Sequence, residues 1–411
     1  MKPHEIKLSE CVDLLSGFAF KSKNFTTNLE DIALVKGENV SQGRVLWDIS
    51  KRWVREDWSQ FKKFQLKPGD VVIAMDRPWV PAGLKWCFIR DHDPMALLVQ
   101  RCCRLRANPL IMDQTFLRCL IGGPGFEGYI KPITTGVNIP HISGRQILDY
   151  SFNLSPLPEQ KRIARILSAY DDLIENNLRR IKILEEMAQS LYREWFVHFR
   201  FPGHESTPMI DSPLGPIPEG WEVKKLGEIY DTSSGGTPSR KKPEYYEKGD
   251  IEWVKTKELK DGFVLESEEK INSFGLSKSS AKLFPANTVL IALYGATIGQ
   301  LGILSQPAAT NQACCALLQK DELYGRAFAF YTLLNARTDL INLRQGAAQQ
   351  NISQALLKKF EIICPPENLI RKFNFSAETI LDNIYNLQHR NQNLRATRDL
   401  LLPKLITPTN A

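Results

Sequence analysis

The fold is decided by the stretch PLPEQKRIARILSAYDDLIENNLRRIKILEEMAQSLYREWF, residues 156–196. Apolar residues recur in it seven positions apart, at Leu167, Ile174, Ile181, Ala188 and Trp195. An intervening row is formed by Tyr170, Asn177, Leu184 and Leu191. This heptad predicts a long helix with one apolar seam that packs against another helix. Pro202-Gly203 marks its end.

The chain repeats this pattern further along, in residues 366–406. At the same offset the second copy has Ile380, Leu387, Leu394 and Leu401, with a more polar partner row of Ala377, Ile384, Asn391, Arg398 and Leu405. Two such helices favour mutual packing, and the alternative is that each covers only the surface of its own domain. In an antiparallel pair Asn177 and Asn391 would approach each other, so we expect either a register-fixing contact or two separately solvated side chains.

The segments before the two helices also correspond. Residues 32–38 parallel residues 251–258, and residues 66–74 parallel residues 283–292. Each pair shows a turn signal with a short β-branched run, which is typical of a β-strand. Ile142-Ser143 similarly corresponds to Ile352-Ser353. The chain is therefore predicted to run module, helix, module, helix, with a Pro/Gly-rich joint between the halves.

Several short sequence motifs resemble those of one protein family, and together they span nearly the whole chain. They are Ser16-Gly17-Phe18-Ala19-Phe20, Pro156 to Lys161, Ile217-Pro218-Glu219-Gly220-Trp221, and Gly235-Gly236-Thr237-Pro238. In this order and duplication they resemble the specificity subunit of Type I restriction–modification systems. One departure is that Asn368-Leu369-Ile370 stands where the first helix has Gln160-Lys161-Arg162. This difference puts any symmetry of partner docking in doubt.

The resemblance implies an α+β fold with a pseudo-twofold internal repeat. Two tandem target-recognition domains, each mixed α/β with twisted sheets, would be separated by two long helices packed as an antiparallel coiled coil. The expected boundaries are a first recognition domain at 1–157, long helix 1 at 158–200, a linker at 201–220, a second recognition domain at 221–364 and long helix 2 at 365–411.

The resemblance also implies a function. The chain would be a DNA-binding, non-catalytic subunit that reads a bipartite asymmetric site, one half per recognition domain. It would scaffold two methyltransferase subunits and restriction/translocase subunits. No cofactor is expected on the chain itself, and S-adenosylmethionine, ATP and Mg²⁺ are expected only on the partner subunits.

Composition agrees with this interpretation. The formal net charge is +7, which favours an anionic partner. The eight Cys include the adjacent pairs Cys102-Cys103 and Cys314-Cys315, which are poorly spaced for a metal and are interpreted as buried reduced thiols. The absence of a signal core or an apolar run of membrane-spanning length predicts a cytoplasmic protein with no membrane partner.

Direct reading of bases requires polar and cationic side chains at loop tips. The first module offers such side chains at Lys36, Arg77, Trp79, Thr134, Thr135, Asn138 and His141. The second offers Arg240, Lys241, Lys242, Lys255, Thr256, Tyr294, Thr297, Gln345, Gln349 and Gln350. The alternative for any one of them is an ordinary solvated loop residue. Catalytic and metal-binding residues are expected to be absent.

Two rival functions stay open at this level. The first is a restriction enzyme that cuts by itself, for which Asp261, Glu269 and Lys270 form a loose acid–acid–Lys pattern. The absence of a phosphate loop and of an Asn-Pro-Pro-aromatic run weighs against catalysis by this chain. The second is a coiled-coil scaffold that binds no nucleic acid and therefore lacks the steep salt dependence of phosphate contacts.

Overall fold

The heptad stretches form two helices of 40 residues each, Leu157–Phe196 and Glu367–Ile406, in a computed structural model that describes residues 4–80, 83–136, 140–342 and 351–406. We call them long helix 1 and long helix 2. Both begin directly after a proline. Proline has no backbone N–H, and the N–H groups at the beginning of a helix have no acceptor within the helix, so a proline there costs no hydrogen bond. The predicted helices are thus confirmed. Within the described ranges, no helix combines the length and apolarity needed to cross a membrane.

The chain divides into two compact units, and each long helix contributes to both. Unit 1 comprises Met1–Ile174 with Asn393–Ala411, and unit 2 comprises Glu175–Gln392. In unit 1 the beginning of long helix 1 shares a core with the end of long helix 2, through Leu167 and Leu402. In unit 2 the end of long helix 1 shares a core with the beginning of long helix 2, through Phe196 and Phe373. The two helices therefore pack antiparallel, as the resemblance implied.

Unit 1 is built on two sheets with helices beside them. The four-stranded antiparallel sheet has the order Trp86–Phe88, Val71–Ala74, Cys102–Ala107 and Val12–Ser16. The three-stranded sheet has the order Ala96–Leu98, Ile32–Val35 and Arg52–Trp53. Paired short strands are His4–Lys7 with Ser151–Leu154, Val40–Ser41 with Arg44–Val45, and Trp79–Val80 with Gly83–Leu84. The shorter α-helices are Leu8–Cys11, Gln114–Ile121, Pro124–Ile133 and Gly144–Leu148.

Unit 2 repeats this plan. Its five-stranded sheet has the order Tyr230–Ser234, Cys314–Gln319, Val289–Ala292, Leu301–Leu304 and Gly262–Val264. Its four-stranded sheet has the order Lys270–Ile271, Ile251–Val254, Ala308–Thr310 and Leu283–Phe284. Paired short strands are Glu222–Lys225 with Glu361–Cys364, and Met209–Ile210 with Ile217–Pro218. The shorter α-helices are Leu226–Ile229, Ser273–Ser277, Arg326–Asn342 and Gln354–Lys359.

The internal repeat holds at the level of strand register. Ala74 lies opposite Cys102 in unit 1, and Ala292 lies opposite Cys314 in unit 2. Because side chains alternate between the two faces of a strand, equal register places equivalent residues on equivalent faces. The two recognition domains are therefore two versions of one mixed α/β domain, which confirms the predicted fold class.

The seam of long helix 2 differs from the sequence expectation. The row of residues that the sequence suggested to be more polar is the more deeply buried part of this seam. Ala377, Ile384 and Asn391 in that row are all at 2% exposure or less. Asn391 can occupy this row because the Asn177 Nδ2 donates to its Oδ1 at 2.9 Å inside unit 2. A buried amide that is hydrogen-bonded avoids most of its desolvation cost. The expected approach of the two asparagines is confirmed.

We predict that Asn177→Leu destabilises unit 2 by about 1–3 kcal/mol, because it removes a buried hydrogen bond to Asn391. The double variant Asn177→Leu/Asn391→Leu should recover most of that loss, since two apolar groups can replace a buried polar pair. Urea-induced unfolding of the full chain measures both effects. Asn176→Leu, at the exposed neighbouring position, is the matched control. A single variant as stable as the parent chain would contradict the prediction.

Candidate nucleic-acid interface

Two distant loops of unit 1 meet at the end of strand Val71–Ala74. Asp76 and Thr135 each form a β-bridge to His141, and the His141 Nδ1 lies 2.5 Å from the Asp76 Oδ1. The Arg77 backbone N–H donates to the Pro140 carbonyl at 2.8 Å. The structure thus brings the predicted residues Arg77, Thr135 and His141 together, although they are far apart in the sequence.

Arg77 and Trp79 present different chemistry on this surface. Arg77 is exposed, and its backbone has φ +46°, a left-handed conformation that a non-glycine residue adopts only when its surroundings hold it there. Trp79 is half-buried, and its Nε1 donates to the Thr134 Oγ1 at 3.3 Å. Thr134 in turn donates to the Ile130 carbonyl at 3.0 Å. The tryptophan is therefore anchored to a helix end and retains a partly open ring.

Lys36 belongs to the same neighbourhood. Its Nζ is 3.0 Å from the Glu38 carboxylate, and the adjacent Gly37 carbonyl accepts from the Lys85 Nζ. Burial is the main cause that lowers the pKa of Lys85, and the Arg77 cation acts in the same direction. Lys36, Lys85 and Arg77 therefore form one cationic edge of unit 1.

In unit 2 two predicted cations share one carboxylate. Arg240 and Lys255 both donate to Glu269. The Arg240 guanidinium lies 5.0 Å and the Lys255 Nζ 5.5 Å from the centre of the Trp253 ring. The hydrogen bond from Arg240, aided by Lys255, lowers the pKa of Glu269 to about 2 against the opposing effect of burial. Both cations are thereby held in fixed positions at the surface.

We predict that Glu269→Gln destabilises unit 2 by about 1 kcal/mol at neutral pH, after allowance for solvent screening of this partly exposed group. A carboxylate with a depressed folded-state pKa stabilises the fold above its unfolded value. The difference between variant and parent should therefore shrink as the pH falls from about 4.5 towards about 2. Urea unfolding at a series of pH values measures it. The exposed Glu266→Gln is the control, and a pH-independent difference would refute the prediction.

The remaining predicted residues of unit 2 surround this cluster or the next loop. Lys241 and Lys242 are exposed, and the Lys242 Nζ donates to the Tyr245 hydroxyl at 3.1 Å. Thr256 opens the 3-10 helix Thr256–Glu258. Tyr294 and Thr297 are half-buried in the loop after strand Val289–Ala292. The predicted residues Asn138, Gln345, Gln349 and Gln350 lie outside the described residues.

Sequence reasoning missed the polar side chains that precede the paired cysteines. Gln100, Arg101 and Gln312 are exposed there. The Arg101 Nε is 3.2 Å from the Asp76 Oδ2, and Gln312 accepts from the Thr237 Oγ1 at 2.5 Å. The duplicated cysteine pairs were the signal that could have located these turns. Burial raises the pKa of the Cys103 thiol to about 12, which favours the structural role expected of these cysteines.

The nuclease-like pattern does not assemble into one site. Asp261 pairs with Arg337, and Lys270 pairs with Glu252 at 2.7 Å. Glu269 is held instead by the two cations described above. Within the part of the chain that the structure describes, no group of three or more His, Cys, Asp or Glu side chains is placed to hold a metal ion.

A mixed α/β domain present twice, each copy flanked by a long helix and each carrying cationic residues on its loops, defines a duplicated DNA-specificity protein. The family model described as "Type I restriction modification DNA specificity domain" matches residues 3–186 and 218–392. The chain belongs to this family, with two specificity domains in tandem.

Individual relatives agree with the family match. The chain is 29% identical over 282 residues to the Type I restriction enzyme MjaIX specificity subunit of Methanocaldococcus jannaschii, in an alignment that covers 68% of this chain and 65% of that protein. It is 23% identical to the HindI specificity subunit of Haemophilus influenzae, over 84% of this chain and 87% of that protein. The crystal structure of a Type I S subunit from M. genitalium is similar in fold, with a TM-score of 0.63 and 16% identity, covering 100% of this chain and 97% of that one.

Proposed function

We infer that the chain binds double-stranded DNA and reads a bipartite, asymmetric site, with one half-site per recognition domain. The observation that carries this proposal is that each copy of the domain presents cationic loop residues, Arg77 in unit 1 and the Arg240–Lys255 pair in unit 2. Contacts between cations and phosphates position the protein on the duplex, and neighbouring polar side chains contact base edges. The residues predicted from the sequence, from Lys36 to Gln350, are proposed to line these two surfaces.

The two domains differ in the chemistry that they present. In unit 1 a half-buried tryptophan and a histidine–aspartate pair flank the arginine. In unit 2 two cations are held over an aromatic ring by one carboxylate. Two copies of one domain that present different loop side chains would select different bases. This difference supports an asymmetric target rather than a palindrome.

The chain itself is proposed to be non-catalytic and to act in the cytoplasm. The proposed segments are recognition domains at 1–157 and 221–364, long helices at 158–200 and 365–411, and a linker at 201–220. Two methyltransferase subunits, which would bring S-adenosylmethionine, are the proposed partners. Restriction/translocase subunits would bring ATP and Mg²⁺. The relatives named as specificity subunits of restriction enzymes support this assignment.

Selection from a pool of random-sequence duplexes by the purified chain tests the proposal. We expect a consensus of two unlike half-sites with a fixed gap, and binding that weakens steeply with salt. Arg77→Ala should lower affinity for the selected duplex by about 5-fold to about 150-fold if the arginine contacts a base. Arg55→Ala, which removes another exposed arginine of unit 1, is the control.

The rival functions make different predictions in the same assay. A self-sufficient restriction enzyme would cleave the selected duplex when Mg²⁺ is added to the chain alone. A coiled-coil scaffold without a nucleic-acid partner would enrich no sequence and show no salt-dependent binding. Either result would contradict the proposed function.

A further inference from the structure

Two short turns occupy equivalent positions in the two recognition domains. Gln100-Arg101 precedes strand Cys102–Ala107, and Gln312-Ala313 precedes strand Cys314–Gln319. The strands that follow have the same register against their neighbours, with Cys102 opposite Ala74 and Cys314 opposite Ala292. The turns are therefore the same structural element, and they carry different side chains.

Each turn is held by a close backbone approach. A Cβ on Gly17 would lie 2.2 Å from the Val99 carbonyl oxygen, and a Cβ on Gly235 would lie 2.0 Å from that of Thr310. Only glycine fits at such a distance. In unit 1 the Gln100 N–H also donates to the Phe18 carbonyl at 2.8 Å. Rigid backbone on both sides restricts where the turn side chains can reach.

The turns are joined to the candidate interface by equivalent hydrogen bonds. The Met75 N–H donates to the Arg101 carbonyl at 2.8 Å, and the Leu293 N–H donates to the Ala313 carbonyl at 2.9 Å. Met75 and Leu293 directly precede the loops that carry Arg77 and Tyr294. Each turn therefore borders the loop that the proposed function places against DNA.

The side chains of the turns are exposed but oriented. Arg101 has φ +67°, and its Nε is 3.2 Å from the carboxylate of Asp76, which also contacts His141. In unit 2 the Gln312 amide oxygen accepts from the Thr237 hydroxyl at 2.5 Å. Such contacts hold a side chain in one orientation before a ligand arrives, which lowers the entropic cost of binding.

We propose that these turns are specificity determinants: Arg101, with Gln100, reads a guanine in the first half-site, and Gln312 reads an adenine in the second. The inference rests on the proposed DNA-reading function. Arginine forms two hydrogen bonds with guanine O6 and N7, and glutamine forms two with adenine N6 and N7. The second domain has Ala313 at the position equivalent to Arg101 of the first. This difference makes the two domains select unlike bases.

Duplex selection with the full-length chain tests the assignment. Arg101→Ala should lower the preference for one G·C pair in the first half-site by about 5-fold to about 150-fold and leave the second half-site unchanged. Gln312→Ala should relax one A·T pair in the second half-site alone. Arg101→Lys retains the cation beside Asp76 and can still donate to guanine, so it should bind DNA and keep more of the G·C preference than Arg101→Ala does.

Matched controls are Arg55→Ala in unit 1 and Gln306→Ala in unit 2, both exposed residues away from the turns. If the parent chain selects a bipartite motif and Arg101→Ala and Gln312→Ala select the same motif, the turn assignment is overturned and the proposed function stands. If Arg101→Ala alters the second half-site, the assignment is also overturned. If the parent chain enriches no sequence, the proposed function itself fails.

Discussion

Replacement of Phe373 by alanine is expected to destabilise unit 2 by about 3–5 kcal/mol. Phe373 is fully buried at 0% exposure, in an aromatic cluster at the beginning of long helix 2. Its ring centre lies 4.9 Å from that of Phe196 and 5.8 Å from that of Tyr192, both on long helix 1. A further ring, Tyr331, lies 6.4 Å away on helix Arg326–Asn342. The substitution would leave a cavity where three helices meet.

Urea unfolding of the full chain measures this effect, and duplex selection reports its functional result. Because only unit 2 contains the cavity, the second half-site should be lost from the consensus before the first. The control is Phe375→Ala, two residues later on the same helix, where the ring is 81% exposed. We expect a change within about 0.5 kcal/mol there. Equal effects of the two substitutions would contradict the packing described for long helix 2.

Gln160→Leu is expected to destabilise unit 1 by about 2–4 kcal/mol, because buried backbone groups would lose their partners. Gln160 is 0% exposed. Its Nε2 donates to the carbonyls of Ile111 at 3.0 Å and Ser155 at 2.7 Å, and its Oε1 accepts from the Asp113 N–H at 2.9 Å. The side chain therefore fastens the beginning of long helix 1 to the domain beside it.

The attachment through Gln160 also affects a neighbouring helix, because its partner Asp113 caps that helix. Its carboxylate caps helix Gln114–Ile121 by accepting from the Thr115 and Phe116 N–H groups at 2.9 and 3.0 Å. Loss of Gln160 should thus loosen the helix start as well as the joint. Chemical unfolding of the variant measures the loss, with the exposed Lys161→Ala as its control. An unchanged unfolding midpoint for Gln160→Leu would show that these hydrogen bonds are dispensable.

The same position explains the departure noticed in the sequence. The structure aligns Gln160 with Ile370 and not with Asn368, two residues away from the correspondence taken from the sequence, because the N–H of Ile370 donates to the Pro366 carbonyl as that of Gln160 does to Pro156. Ile370 is also 0% exposed. The first helix start is therefore held by hydrogen bonds to the backbone, and the second by apolar packing. The fold tolerates the exchange because both side chains are buried.

The long helices and the repeated strands could be predicted because their signals are local. A heptad spacing and a preceding proline determine where a helix forms, and an isolated β-branched run after a turn determines a strand. The strands Ile32–Val35 and Ile251–Val254 were both anticipated in this way. Their equivalence followed from the repeat, which is the strongest long-range information in a single sequence.

The candidate interface was only partly predictable because its contacts join distant segments. Asp76 and His141 are 65 residues apart, and Arg240 and Glu269 are 29 apart. Neither spacing produces a periodic pattern. The polarity of Asn391 was likewise misleading, since its burial depends on Asn177 on the other long helix. The turn at Arg101 was missed because an ordinary loop and a tethered loop look alike in sequence.

The exchange of helix ends between the units has a genetic consequence. Leu401, Leu402 and Leu405 follow the second recognition domain in the sequence, yet they pack in the core of unit 1 with the first recognition domain. A premature stop codon just before them would spare every residue of the second domain and damage the first. The two domains therefore cannot be exchanged independently of the long helices. In a hybrid made by joining two homologous genes, residues 157–174 must still be able to pack against residues 393–406.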